Sequence, residues 1–491
     1  MFARLSSLVV TFATIAVSIG IAVAAAAQDQ PRRAPNVLII LADDLGIGEL
    51  GCYGGKDIPT PHIDALATRG VRFTNAYVSA PYCAPSRAGL VTGRIQTRFG
   101  VEFNPTGKAN LDERASLTLT EKTIADYARA AGYRTGLVGK WHLGATPQYH
   151  PQRRGFEEFF GFLHEGHFYV PGPPWQGVTS FLRRADAGGR KVDGDVVWSS
   201  HLGSSEPSYD DHNPLLSGVQ PVLEQEYLTD VLAREVIDFV EQHPKEPWLL
   251  LWTPNAPHSP MQARKEVLQR FAHIPDLHRR VFAAMVTSLD DAVGRMTKRL
   301  RELQLDQDTL IVFLSDHGGP TRELTSSNAP FRGGKGELFE GGIRVPFILS
   351  WPRKFSSKVS DAPISSLDIV PTFLAVSGAA RPNVQLDGMD LTPLLTTPEA
   401  NRESWLKRVL FWRYGSNTAL RRGDWKIIRQ SSARQAPVPF SLYHLAADPG
   451  ETRDQAANEP TILADLERRL REIDAQMVAP VWKPGGPAPG K

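Results

Sequence analysis

Cysteine is scarce. Cys52 and Cys83 are the only two thiols in 491 residues, which excludes a disulfide-rich scaffold and leaves one pairing at most. At this length and 42% apolar content the chain can build a core without that bridge. An excess of one charge is missing too: 55 Lys and Arg stand against 53 Asp and Glu, a net of +2. So even a balance argues against a nucleic-acid partner, and the charges are too dispersed for a membrane-surface patch. There is no internal repeat and no long low-complexity stretch, which sets aside repeat architectures.

The N-terminal end is different in texture. Arg4 precedes an uncharged run over residues 5–27 that ends in four alanines, followed by Gln28-Asp29-Gln30. This pattern predicts a secretory signal peptide cleaved after Ala27, hence a secreted or periplasmic protein with no stable membrane insertion. An uncleaved anchor is the alternative, but the run is rich in Ala, Ser and Thr and only weakly apolar. Residues 28–34 read as a flexible leader.

Short continuous apolar runs recur at 36–41 (NVLIIL), 135–138, 248–252 (WLLLW), 310–314 (LIVFL) and 345–349. Such runs are expected of strands covered on both faces. Helical spacing fills the intervals at 119–131, 227–242 and 281–303, and again at 367–377 before Gly378. Strands alternating with helices predict an α/β sandwich with a large, mainly parallel sheet. Functional groups in such a sheet gather at the carboxyl ends of the strands. Near residue 400 the texture changes. Short strands at 408–414, 419–420 and 425–430, then a charged amphipathic helix at 459–476, predict a smaller antiparallel sheet with one helix. We therefore expect a large domain over 35–398 that carries the chemistry, a C-terminal subdomain over 399–483 and a disordered tail over 484–491.

Two of the runs end in acids. Asp43 and Asp44 follow the first, and Asp316-His317 follow the run at 310–314. A strand-end Asp alone is commonly a turn or cap residue. Two strands delivering acids to one sheet edge are more telling. Three carboxylates close together repel unless a divalent cation joins them, and oxygen ligands favour a hard one such as calcium or magnesium. Cys83, four residues before Arg87, is either an activated thiolate or an inert buried residue.

Cys83-Ala84-Pro85-Ser86-Arg87, continuing to Leu90, Thr92, Gly93 and Arg94, fits C-x-P-S-R-x-x-L-x-T-G-R throughout. It resembles the signature of the formylglycine-dependent sulfatases, of the arylsulfatase and N-acetylgalactosamine-6-sulfatase type. Residues 36–54, 136–144 (GLVGKWHLG), Pro257-His258, 333–346, 420–427 and 442–451 resemble further segments of that family. The resemblance implies an alkaline-phosphatase-like fold and hydrolysis of carbohydrate or aryl sulfate monoesters. It implies that a maturation enzyme, guided by Pro85 and Arg87, converts Cys83 into formylglycine (3-oxoalanine), an aldehyde hydrated to a geminal diol. It implies one calcium ion, or magnesium in its place, held by Asp43, Asp44, Asp316, His317 and the side chain at 83. Lys140, His258 and Lys335 would bind the sulfate, with Arg87 and the metal adding fixed positive charge; His258 and Lys335 would assist the leaving alkoxide, and His142 would take a proton from the diol.

One departure is His317, where the family commonly has Asn; imidazole suits softer cations better than calcium. Cys52 carries no chemical signal and reads as a small buried residue in a Gly-rich turn. Two rival functions stay open: a phosphonate-monoester or phosphodiester hydrolase of the same superfamily, and a non-catalytic sulfated-glycan binding protein with Cys83 unconverted. Sugar, sulfate position and exo or endo action would be set by loops, with candidates at 161–171, 186–212, 322–332 and 412–417.

Overall fold

Asn36–Ala42 shows no polar alternation because both faces of this strand are covered: all seven residues are buried. The computed structural model describes residues 34–171, 213–321, 324–396, 403–430 and 438–485, with the backbone of three short strands between 178 and 197. The expected signal peptide and nearly all of the leader lie outside the described residues, as do most of the candidate loop at 186–212 and most of the expected tail. Pro35–Lys491 form one compact unit.

Asn36–Ala42 is β1 of a ten-stranded sheet. The other strands are β2 (Val71–Phe73), β3 (Arg134–Lys140), β4 (Glu158–Phe162), β5 (Leu216–Ser217), β6 (Gln220–Pro221), β7 (Trp248–Thr253), β8 (Thr309–Ser315), β9 (Phe347–Ser350) and β10 (Lys358–Ser360). Their order across the sheet is β6-β5-β4-β3-β7-β1-β8-β9-β2-β10. The central strands β4, β3, β7, β1 and β8 are mutually parallel. The strand expected at 345–349 begins only at Phe347 and runs antiparallel to β8. Pro346 lacks the N–H that a ladder position needs, which delays the start.

Helices cover both faces. They are α1 (Pro61–Thr68), α2 (Cys83–Thr92), α3 (Ile124–Ala130), α4 (Leu228–Gln242), α5 (Leu277–Glu302) and α6 (Ile369–Ser377). α4 buries Leu228, Val231, Leu232, Val236, Phe239 and Val240, a stripe at helical spacing. That stripe shares a core with Leu38 and Ile40 of β1 and with α5. Val37, Ile39 and Leu41 point to the opposite face by strand alternation. α3 packs on β3, and α2, α3 and α6 pack together. The helix expected from residue 119 starts at Ile124, where Thr123 and Asp126 form a capping box that fixes the first turn. α2 has no counterpart among the expected helices.

The C-terminal residues form β11 (Val409–Tyr414), β12 (Asn417–Arg422), β13 (Trp425–Arg429) and β14 (Ser441–His444), an antiparallel sheet in chain order, and α7 (Pro460–Asp474). Phe411, Leu420, Ile427 and Leu442 pack against Leu466 and Leu470 of α7. The opposite face, through Leu410, Trp412 and Ile428, packs on Tyr77, Val78, Leu338 and Ile343. The candidate loop at 412–417 spans the end of β11 and the turn into β12; Trp412 is buried there and donates from Nε1 to Val78 O at 2.7 Å.

Candidate active site

The residues singled out at strand ends converge. Asp43 and Asp44 follow β1, and Asp316 and His317 follow β8. Lys140 ends β3 with His142 two residues on, and His258 lies beyond β7. Since these strands are parallel, all seven residues reach one sheet edge. Asp316 N donates to Ala42 O at 3.0 Å and Asp43 N to Ala256 O at 3.2 Å, which ties the strand tips together. Cys83 arrives on another element, as the first residue of α2, whose ten residues are all buried. Pro85 lies in the first turn of this helix, and Gly93, left-handed at φ 69°, caps its end. Cys83 Sγ lies 3.1 Å from His317 Nε2 and 3.7 Å from Asp43 Oδ1.

Three cations face three carboxylates. Lys140 Nζ is 2.6 Å from Asp43 Oδ2, and Lys335 Nζ is 2.8 Å from Asp44 Oδ1. Arg87 donates from Nε and Nη2 to Asp316 Oδ2 at 3.2 and 3.1 Å. No side chain in these pairs is more than 2% exposed, so bulk water screens them little. Burial disfavours the Asp43 carboxylate, but Lys140, Arg87 and Lys335 outweigh it and hold its pKa at about 2. Asp44 goes the other way. Burial lifts it, against the pull of Lys335 and His317, and the charges of Asp43 and Asp316 add to the rise. His317 is pushed up to about 9: burial opposes this, but Asp316, Cys83 and Asp44 prevail.

This charge pattern fits a bound cation. Carboxylates that draw a proton onto an imidazole also draw a divalent ion, which competes for the same nitrogen. Ligand atoms of Asp43, Cys83, Asp316 and His317 all lie within 4.8 Å of one another, and so do those of Asp43, Asp44, Cys83 and His258. Three carboxylates make up half of these ligating residues, beside two imidazoles and the side chain at 83, and their oxygens suit a hard cation. His317 Nδ1 lies 3.0 Å from Gly318 O, which only accepts, so Nδ1 carries the hydrogen. Nε2 is thereby left to face Asp44 Oδ1 and Asp316 Oδ1, at 3.4 and 3.5 Å. Cys83 Sγ stands where the expected aldehyde hydrate would place an oxygen.

The other two histidines are oriented by the same logic. His142 Nε2 lies 2.9 Å from Pro105 O, so it carries the hydrogen. Nδ1 has no hydrogen-bond partner among the described residues. Burial first, then Lys140, holds the His142 pKa well below the usual range, leaving a neutral ring with a lone pair on Nδ1. Its backbone is left-handed at φ 59°, a strained conformation for this residue. His258 Nδ1 is 2.6 Å from Ser259 O, and Nε2 is 3.7 Å from Asp44 Oδ2.

Several supporting residues went unread in the sequence. Thr253 Oγ1 donates to Lys140 O at 2.7 Å, and Arg87 Nη1 reaches the same carbonyl at 3.0 Å. Tyr169 Oη lies 2.5 Å from Asn255 O and 2.7 Å from His258 O, bracing the loop beyond β7. For Thr253 the available signal was position alone, at the end of an apolar strand run; Tyr169, seven residues beyond β4, had none. Of the candidate loops, 161–171 contributes Tyr169, and 322–332 supplies Ser326 Oγ to Gly46 N at 3.0 Å. Cys52 is only half-buried, in the single turn Gly51–Tyr53, rather than buried as expected; its N–H donates to Asp64 Oδ1 at 2.8 Å. Neither cysteine is in a disulfide.

Known proteins share this arrangement of sequence and fold. The family described as Sulfatase matches residues 35–379, and the one described as N-sulphoglucosamine sulphohydrolase, C-terminal, matches 334–476. Human arylsulfatase A is 33% identical over 95% of this chain and 91% of its own length. The N-acetylgalactosamine-6-O-sulfatase of Bacteroides thetaiotaomicron is 29% identical, covering 90% of this chain and 94% of that protein. The crystal structure of Ps i-CgsB in complex with k-i-k-neocarrahexaose superimposes with a TM-score of 0.78 at 32% identity, over 92% of this chain and 95% of that one.

Proposed function

The chain belongs to the sulfatase family, whose members are sulfuric ester hydrolases, and from that premise we propose that it cleaves sulfate monoesters outside the cytoplasm, using a formylglycine made from Cys83. The substrate is a carbohydrate sulfate, with small aryl sulfates accepted. Similarity to an N-acetylgalactosamine-6-O-sulfatase and to a protein that holds k-i-k-neocarrahexaose supports the glycan. One observation carries the reading: Cys83 Sγ lies 3.1 Å from His317 Nε2, among buried carboxylates matched by Lys140, Lys335 and Arg87.

Asp43, Asp44, Asp316 and His317 would hold one divalent cation, calcium by the weight of carboxylate oxygens or magnesium in its place. When bound, it supplies a Lewis acid that polarises oxygen at the reacting centre. Formylglycine, when hydrated, supplies a hydroxyl nucleophile at position 83 and a second hydroxyl beside it. Lys140 and Lys335 bind the anionic ester and stabilise charge that grows on it. Arg87 holds Asp316 Oδ2 by its two N–H donors and so leaves Oδ1 as the oxygen that would ligate the cation. His142 takes a proton at Nδ1, and His258 or Lys335 protonates the departing alkoxide. Burial of the whole group keeps bulk water out. The partners are the sulfated substrate and a formylglycine-generating enzyme. No helix among the described residues is long and apolar enough to cross a membrane.

The test is the relative turnover of one aryl group carried as sulfate, phosphate and phosphonate, using protein matured in a competent host. The sulfate ester is expected to react fastest. Phosphorus esters ahead by orders of magnitude would make the protein a phosphonate or phosphodiester hydrolase instead.

A further inference from the structure

A buried carboxylate that the chemistry above does not use stands beside it. Glu165 is 1% exposed and lies three residues past β4. Each of its oxygens receives an N–H from one loop: Oε1 from Gly107 N and Oε2 from Asn110 Nδ2, both at 2.6 Å. The Asn110 amide has a single sensible orientation, because Nδ2 also faces Gly107 O at 2.9 Å and both partners only accept. Two short bonds from a carboxylate to amide donors make a strong, directional clamp.

The clamped loop touches the reacting groups at two points. Pro105 O lies 2.9 Å from His142 Nε2. Asn104 Oδ1 accepts from the N–H of Ala84, the residue after Cys83, at 3.0 Å. Asn110 O accepts from Ala145 N at 3.2 Å, which holds the chain three residues past His142 to the same loop. Neutral imidazole has two tautomers, and a fixed acceptor at one nitrogen selects between them. Here the acceptor is a main-chain carbonyl, and its position depends on the clamp.

We propose that Glu165 is a positioning residue: through residues 104–110 it holds Pro105 O against His142 and keeps that ring in the tautomer whose Nδ1 accepts a proton. The inference rests on His142 being the base of the sulfatase reaction. Without the clamp the carbonyl drifts, the two tautomers mix, and part of the population presents an N–H where a lone pair is needed.

The experiment uses metal-loaded, matured enzyme labelled with nitrogen-15 in histidine, with the His142 signals identified by their loss in His142→Gln. Wild-type protein is expected to show the Nε2-protonated pattern. In Glu165→Ala the His142 signals move toward the average of two tautomers, and kcat on an aryl sulfate falls about 10- to 100-fold with KM nearly unchanged. Asn110→Ala, which removes the donor to Oε2 and leaves Glu165 in place, is expected to shift the His142 signals in the same direction. If Glu165→Ala does not fold, Glu165→Gln alone, which loses one of the two bonds, shows a partial shift. Wild-type nitrogen signals in the folded single variants overturn the proposal, whatever happens to kcat. Should no sulfate ester be turned over by wild-type protein, the sulfatase reading fails separately, and the tautomer signals still decide the clamp.

Discussion

Asp316 serves two masters through its two oxygens. Oδ2 receives both Arg87 donors, while Oδ1 faces His317 Nε2 and accepts from Asp44 N at 3.3 Å. An amide in its place would set an NH2 against donors on one side or against the cation on the other. Asp316→Asn is therefore expected to leave substoichiometric metal and to lower kcat/KM by about 10²- to 10³-fold. Metal analysis alongside steady-state kinetics checks this, and full metal content in the variant would remove Asp316 from the ligand set. At this scale the sequence was highly legible wherever a residue sits inside a motif, as Cys83, Arg87 and Lys140 do. Glu165, Asn104 and Tyr169 were illegible because their roles lie in bonds, mostly to main-chain atoms, with residues distant along the chain. No spacing rule encodes such bonds.

Among the elements, β3 must bring Lys140 to the site while running tightly beside β7. Gly139 makes this possible: it has φ 116°, and a Cβ there would lie 2.1 Å from Thr253 O. Neither backbone can yield, since both strands sit inside the sheet. Gly139→Ala is expected to cost more than about 2 kcal/mol and to misplace Lys140. Gly54→Ala is the control, with φ 100° but nothing within 4 Å of its would-be Cβ, and is expected to cost about 1–2 kcal/mol. Denaturant unfolding of both variants makes the comparison; equal losses would show that steric conflict at β3 is not the cause. The central strands were readable from their continuous apolar runs. α2 escaped because its residues are buried on every side, so no amphipathic period marks it. The antiparallel sense of β9 escaped because strand direction leaves no local trace.

Across the whole molecule, the C-terminal sheet holds the segment that carries Lys335. Lys426 of β13 lies 2.9 Å from Glu340 Oε1 and 2.8 Å from Glu451 Oε1, and all three side chains are buried. Tyr77 Oη adds a bond to Glu340 Oε2 at 2.6 Å, and Gln430 Oε1 accepts from Leu338 N at 2.6 Å. Burial works against ionisation of Glu340, yet Lys426 and Arg344 prevail and hold its pKa at about 2. Removing one partner leaves uncompensated buried charge, so Lys426→Met is expected to lose about 3–5 kcal/mol of stability. It is also expected to loosen Lys335. Chemical unfolding with parallel kinetics checks both, and wild-type stability would show that the small sheet is not anchored through this cluster. The sequence announced a separate C-terminal texture but not this anchoring, since Glu340, Lys426 and Glu451 meet only after both sheets have formed.

The central claim is that a cation held at acidic strand tips works on a hydrated aldehyde where the gene encodes a thiol. Mass spectrometry of the peptide spanning position 83, taken from protein that is releasing sulfate, tests it most directly. The peptide is expected to be lighter by the difference between CH2SH and CHO. An intact thiol at that position in fully active enzyme would contradict it.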